Sequence, residues 1–297
     1  LFHLPTNKDV VIRDFAIAGK PDLSAFIVFI DGMASSETIN SFILQPLMLL
    51  SNLDPGQEII TCKKTLHKFL PSNQVNELKN YKEVIEEVTM GNTVIFIAGC
   101  NLALACETKG YPSRGIGVAT TEQVVQGPQE GFVEVLRLNT GLIRRIIHSE
   151  DLITEFLKVG TRNKANVAIM YLSDLANPHL VAEVKRRISL IKANYVPESG
   201  MLEGFIEDHP YSLIPQTIKT ERPDRVAAHL AEGKIAIIVE GSPLVLIVPV
   251  TFFSFLHSPE DHYVRFPYGF WLRVLRVGAI FFTLLLPAFY IAVATFH

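Results

Sequence analysis

Cysteine, tryptophan and charge are scarce in this chain. Its 297 residues include three cysteines and one tryptophan, and Asp, Glu, Lys and Arg together make only 19%. Cys62, Cys100 and Cys106 are odd in number and form no Cys-x-x-Cys pair. Small buried hydrophobes in a reducing compartment are favoured over a disulfide framework or a zinc site. The net charge of −3, with no Lys/Arg run, supplies no basic field for nucleic acid. No strand-linked Gly-x-Gly-x-x-Gly, phosphate-cradling glycine loop or Gly-x-Ser-x-Gly nucleophile turn occurs, and Gly115-Ile116-Gly117 is too short to stand for one. His257 and His262 are five residues apart with Pro259 between them. That spacing misses the i, i+4 register of two metal-binding imidazoles and reads as a surface loop near a membrane. The acids Glu203, Glu207 and Asp208 read as a solvated helix end. Arg144-Arg145 and Lys185-Arg186-Arg187 read as exposed helix faces. The opening Leu-Phe-His-Leu-Pro-Thr-Asn-Lys lacks the cationic start and apolar core of a secretory signal. Without an initiator Met it leaves room for a leader upstream.

Long apolar runs are absent too, except at the end. Val277 to Phe296 is uncharged and apolar, about the 20 residues a helix needs to cross a ~30 Å hydrocarbon layer. Tyr268, Phe270 and Trp271 ahead of it suit a headgroup zone, and Arg273 and Arg276 can extend their cations outward. The tail therefore reads as a membrane span. Arg265, Arg273 and Arg276 before it favour a cytoplasmic location for the large N-terminal part. Between Arg276 and His297 no side chain is charged, so this helix alone is no ion path.

Two segments repeat an ordered set of features at one offset. Ala25–Ile30 lies 142 residues before Val167–Leu172, and the same interval separates Gly91 from Gly233 and Gly99 from Gly241. Apolar runs follow suit: Val94–Ile97 with Ala236–Val239, Leu102–Ala105 with Leu244–Ile247. A constant offset across strands and turns implies two copies of one unit. Each copy opens with a buried strand and a polar turn, then a helix. Ser35-Ser36-Glu37 starts the helix in the first copy, where Pro46 can kink or end it. Asn177-Pro178 caps it in the second. A short helix (82–90; 223–232) ends each time at the matched glycine. Between the copies, 129–147 has the pattern of an amphipathic helix and 149–159 that of a second. The expected fold class is α/β: two related small α/β subdomains with mixed sheets, joined by a helical connector and followed by a transmembrane helix. The boundaries are 1–126, 127–160, 161–262 and 263–297.

Ligands of open α/β sheets sit beyond the carboxyl ends of parallel strands. That rule selects Asp31, Gly32, Ser173 and Asp174 as candidate ligand-binding residues; as ordinary turn residues they need no such role. No catalytic residue, metal ligand or cofactor is expected. A membrane-anchored hydrolase is the weakest class, for want of a nucleophile turn or cofactor loop.

The chain also resembles a known family. Gly127-Pro128-Gln129-Glu130-Gly131-Phe132-Val133-Glu134 with Leu136-Arg137-Leu138-Asn139 and Leu142-Ile143-Arg144-Arg145 is similar to the hallmark of the A subunit of GerA-type spore germinant receptors. So are 169–178, Val184–Arg187, Thr220–Asp224, Pro243–Phe253, Ser258–Asp261 and Leu284–Tyr290. Gly99-Cys100 and Ala105-Cys106 depart from the family pattern, so no function attaches to either cysteine. The resemblance implies a non-enzymatic subunit in the spore inner membrane, its N-terminal domain on the cytoplasmic (core) side. It implies a transporter-like B subunit, a lipoprotein C subunit and other A subunits as partners, assembled around a ligand-gated ion channel. A germinant cleft between the two subdomains is the alternative, as is the related A-like protein of the dipicolinate-release system. Leu70–Val75 and the Gly-Pro-Gln-Glu-Gly form favour the receptor branch.

Overall fold

Among the described residues, ten strands form two five-stranded sheets. The first contains β1 (Val10–Ala16), β2 (Ser24–Ile30), β3 (Val75–Leu78), β4 (Thr93–Ile97) and β5 (Ala103–Cys106) in the order β1-β2-β4-β5-β3. The second contains β6 (Leu152–Val159), β7 (Ala165–Leu172), β8 (Ile218–Thr220), β9 (Ile235–Val239) and β10 (Val245–Val248) in the order β6-β7-β9-β10-β8. This computed structural model describes residues 2–3, 6–17, 23–49, 75–110, 119, 122, 127–209, 211–212, 215–256 and 265–296. Cys62, His257, His262 and Gly115–Gly117 lie outside the described residues.

The repeat seen in the sequence is a repeat of structure. β1 and β6, β4 and β9, and β5 and β10 each begin 142 residues apart. Helices α1 (Ser36–Ile39) and α2 (Gln45–Met48), joined by a π-helical turn at Asn40–Leu44, make one rod. It matches in start and end the single helix α5 (Pro178–Leu190) at the same offset. The same holds for α3 (Tyr81–Thr89) and α7 (Pro223–Ala231). Registers repeat too, Val10 opposite Ile30 and Leu152 opposite Leu172. The four matched glycines all have positive φ, from +80° to +91°, a backbone region that a Cβ disfavours. Pro46 does not end its helix. The Gln45 N–H reaches back to Asn40 O, and the widened turn accommodates a residue with no N–H of its own.

Besides the connector helix, which runs over Leu136–Ile146 and not over 129–147, two expectations need correction. All pairings are antiparallel, not mixed. The short strands β3 and β8 reverse the path between β2 and β4 and between β7 and β9. β3 and β4 do run the same way across α3, but β5 lies between them. The second error is the helix expected over 149–159. Ser149 does not cap a helix; its Oγ accepts from Asp151 N at 3.1 Å and closes a turn. The Ile-Thr-Glu-Phe run then pairs along β7, where β-branched and aromatic side chains pack well.

Helices cover both faces of each sheet. In the first lobe Ile39, Ile43 and Leu47 of the rod pack on Ile27, Ile95 and Leu104. On the other face Val84 and Val88 of α3 pack on Val28, Val94 and Ala105. In the second lobe α5 and α6 (Ser199–Ile206) bring Val184, Ile188 and Leu202 onto Ile169, Ile237 and Leu246. Leu142 and Ile143 of the connector helix α4 (Leu136–Ile146) join Val226 and Leu230 of α7 on Met170, Ala236 and Ile238. Central strands buried on both faces read as continuous apolar runs, as in the wholly buried Ile-Ala-Ile-Ile-Val of β9. Each such Ile contributes about 1.5–3 kcal/mol. After β10 come a 3₁₀ turn (Phe252–Leu256) and the long helix α8 (Phe266–Phe296).

Cys106 is a free thiol buried in the first core, and burial pushes its pKa up to about 12. Cys100 is disulfide-bonded, which corrects the reading of all three cysteines as reduced. At pH 8 Cys106 should resist iodoacetamide until the protein is unfolded, because the thiolate is the nucleophile; labelling of the folded chain at the rate of a free thiol would contradict this burial. Glycine supplies a second test. A Cβ on Gly141 in α4 would lie 2.4 Å from Gly32 O, whereas a Cβ on Gly204 in α6 meets nothing within 4 Å. Gly→Ala in a helix ordinarily stabilises by ~1 kcal/mol. We expect Gly204→Ala to raise the melting temperature of the detergent-solubilised chain. Gly141→Ala should lower it, by about 1–3 kcal/mol of overpacking.

Candidate functional site

Three of the four turn residues selected from sequence, Asp31, Gly32 and Ser173, lie where the two lobes, the connector and the N-terminal segment meet. Asp31 ends β2, and its N–H donates to Asp9 O at 2.8 Å. Its carboxylate is 3.2 Å from Arg137 Nη1, and the Arg137 guanidinium lies over the Phe156 ring at 4.1 Å. One cation thus joins first lobe, connector helix and second lobe. Gly32 has φ +90°, and a Cβ there would come within 2.5 Å of Arg137 O. Strand end and helix touch backbone to backbone, which is why glycine stands on both sides of the contact.

Ser173 occupies the equivalent place in the second lobe, its N–H donating to Asp151 O at 2.9 Å. Ser173 Oγ donates to Asp151 Oδ1 at 3.1 Å and lies 3.4 Å from His3 Nε2. His3 Nε2 is itself 2.8 Å from Asp151 Oδ1. These are the residue types of a hydrolytic relay, but both oxygens address the same ring nitrogen. A relay needs the acid on one nitrogen and the hydroxyl on the other, so the cluster ties the N-terminal segment to the second lobe instead. Asp174 is exposed. Among the described residues no group of three His, Cys, Asp or Glu could hold a metal ion.

Between these contacts lies a cluster that sequence reasoning missed. Arg144, read there as an exposed cation, is 1% exposed, and Asp9 is fully buried with Asn7 and Thr154. Arg144 Nε donates to Asp9 Oδ2 at 2.5 Å and Nη2 to Asp9 Oδ1 at 2.8 Å. Nη2 also reaches Asn7 Oδ1 at 3.0 Å and Leu152 O at 2.8 Å. Asn7 bridges the lobes in turn, donating to Leu152 O and accepting from Thr154 N. Lys8 N donates to Thr154 O at 2.9 Å. Spacing along α4 carries no signal for this burial, because the partner Asp9 lies 135 residues away in the chain.

α8 differs from every other helix. From Pro267 to Thr295 its 29 residues are long and apolar enough to cross a membrane, and none of its most apolar stretch is buried. Helical rise makes 29 residues about 43 Å, enough for the ~30 Å hydrocarbon layer plus a headgroup zone at the start. Thr283 and Thr295 donate their hydroxyls to Ala279 O and Ile291 O, four residues back, so both are satisfied within the helix. The helix continues through Pro287.

Fold and anchor define a class: a duplicated α/β head, its lobes clamped through a buried ion pair, leading into an exposed apolar helix. The chain belongs to the GerA family, matching "Bacillus/Clostridium GerA spore germination protein" over residues 2–297. It is similar to spore germination protein KA of Bacillus subtilis (strain 168), with 36% identity over 98% of this chain and 53% of the relative. Spore germination protein GerLA of Bacillus cereus is 33% identical over 99% of this chain and 60% of its own length. The chain therefore spans little more than half the length of these relatives. Among solved structures it resembles the N-terminal domain of the A subunit of the Bacillus megaterium spore germinant receptor GerK3. The TM-score is 0.62 at 30% identity, covering 83% of this chain and 90% of that one.

Removing one partner of a buried ion pair leaves the other charge uncompensated and costs about 3–5 kcal/mol, whereas an apolar replacement of both is often near neutral. Arg144→Leu should therefore be strongly destabilising in chemical denaturation, and Asp9→Leu/Arg144→Leu should recover much of the loss. Strictly additive single losses would remove the pair from its place as the clamp.

Proposed function

We propose that this chain is the head and first membrane segment of a nutrient germinant receptor A subunit in the spore inner membrane, with the head on the cytoplasmic side. It catalyses no reaction. Its head supports assembly of A subunits with a transporter-like B subunit and a lipoprotein C subunit, and it helps gate a channel that releases ions. The observation that carries this reading is that the turn closing the clamped second lobe contacts the lipid-compatible helix α8, which gives the head a mechanical path to the bilayer. The family relationship supports the germination setting; assembly and gating are our inference.

In this reading Asp31, Gly32 and Ser173 serve the lobe junction, where each already has a protein partner. A germinant bound there would have to displace the Arg137 or Asp151 contacts. Calorimetry of the chain against amino acids and sugars, repeated with Asp31→Ala and Asp174→Ala, separates the two roles. Heat abolished by both substitutions would make the junction a binding cleft and move the sensor into this subunit.

The functional test uses spores that lack all other nutrient receptors. Deleting this gene, or introducing Arg144→Leu, should abolish the response to some nutrient and leave non-nutrient germination largely intact. A normal response across a broad nutrient panel would overturn the assignment.

A further inference from the structure

The 3₁₀ turn between β10 and α8 presents aromatic rings outward. Phe252, Phe253 and Phe255 are 49%, 64% and 38% exposed. The residue among them that points inward is Ser254, 7% exposed, whose Oγ lies 3.0 Å from Thr251 Oγ1. This inverts the usual arrangement, in which a short turn hides its rings and shows its hydroxyls. Phe252 and Phe253 contact each other edge to face, centroids 5.9 Å apart, so they form one apolar prominence. Contiguous exposed rings of this kind, unlike apolar side chains exposed singly, mark a surface for contact with something other than water.

We propose that this turn is a second membrane anchor, its phenyl rings seated at the boundary between headgroups and acyl chains beside the point where α8 enters the bilayer. The argument for lipid is continuity. The turn contacts α8, the helix that the proposed function places in the membrane, and the inference rests on that reading. The first turns of α8 carry an interfacial set of their own: Tyr268 at 68% and Trp271 at 60% exposure. Arg265, whose carbonyl accepts from Tyr268 N at 2.9 Å, sets a cation at the same level. Aromatic rings with adjacent cations favour the anionic headgroup zone, and in-plane apolar residues bind there in proportion to the area they bury.

The consequence is orientation. α8 by itself does not fix rotation about its own axis; a second contact beside it fixes which side of the second lobe faces the bilayer. The turn follows β10 directly through Pro249, so the anchor grips the sheet itself.

Single-tryptophan reporters test this in proteoliposomes containing anionic lipid and phospholipids brominated at shallow or deep acyl positions. One reporter is the native chain with its lone Trp271; the others are Trp271→Phe/Phe253→Trp and Trp271→Phe/Phe255→Trp. We expect shallow bromines to quench all three, with a blue shift of the 253 and 255 reporters on reconstitution. Quenching of the native chain with none at 253 or 255 would overturn the second anchor and leave the span intact, whether water or other protein covers the turn. No quenching of any reporter would instead remove the membrane span, and the anchor with it.

Discussion

The arrangement of this molecule depends on one desolvated cation. Arg144 projects from the connector into a space where water cannot serve it, and its charge is met by Asp9 from the first lobe, with Leu152 O from the second. A buried guanidinium is costly to expose to anything but its acceptors. Sliding one lobe past the other would strand either the cation or the carboxylate. The pair therefore contributes less as net stability than as a constraint on orientation. Gly32 and Gly141, in backbone contact, allow little give beside it. The two lobes meet through these contacts and are still recognisable as copies.

Those copies diverged where the connector had to fit. Asp9 and Asp151 stand 142 residues apart, and each accepts the same backbone hydrogen bond, from Asp31 N and Ser173 N. Their side chains have parted: Asp9 is buried against Arg144, while Asp151 faces His3 and Ser173 near the surface. The sheets diverged in the same way. Ala168 and Ile238 are fully buried in the core that α4 and α7 share. The equivalent residues of the first lobe are Phe26 and Phe96, which stack on each other at 4.6 Å, with Phe26 still 37% exposed. A helix covers one face where two aromatic rings cover the other.

How much of this was legible in the sequence follows from what each feature depends on. The duplication was readable because glycines with positive φ and strands buried on both faces restrict residue type wherever they occur. Gly91, Gly99, Gly233 and Gly241 had no alternative. The long apolar helix α8 was readable from length and composition alone. β1, β3 and β8 were not, since β1 is mostly exposed and the other two have three or four residues each; edge strands of that kind carry little pattern. β6 was misread because Ser149 looks the same whether it caps a helix or closes a turn. Arg144 was misread because an isolated arginine on a helix is ordinarily solvated. Its burial follows from Asp9, 135 residues away in the chain, and spacing within one helix carries no such information.

The turn residues chosen as ligand candidates illustrate the same limit. The rule that ligands gather beyond carboxyl ends of strands holds for parallel sheets, because crossover helices leave a crevice there. In an antiparallel sheet neighbouring strand ends point both ways, and no such crevice is built in. What collects at the ends of β2 and β7 here is the protein's own connector and N-terminal segment. Asp31, Gly32 and Ser173 thus have protein partners at the positions that rule selects. In the proposed reading, where the head moves as a unit above a membrane, filling those positions with protein has a physical advantage. A vacant cleft would be a hinge, and a hinge between the lobes would dissipate a displacement before it reached α8.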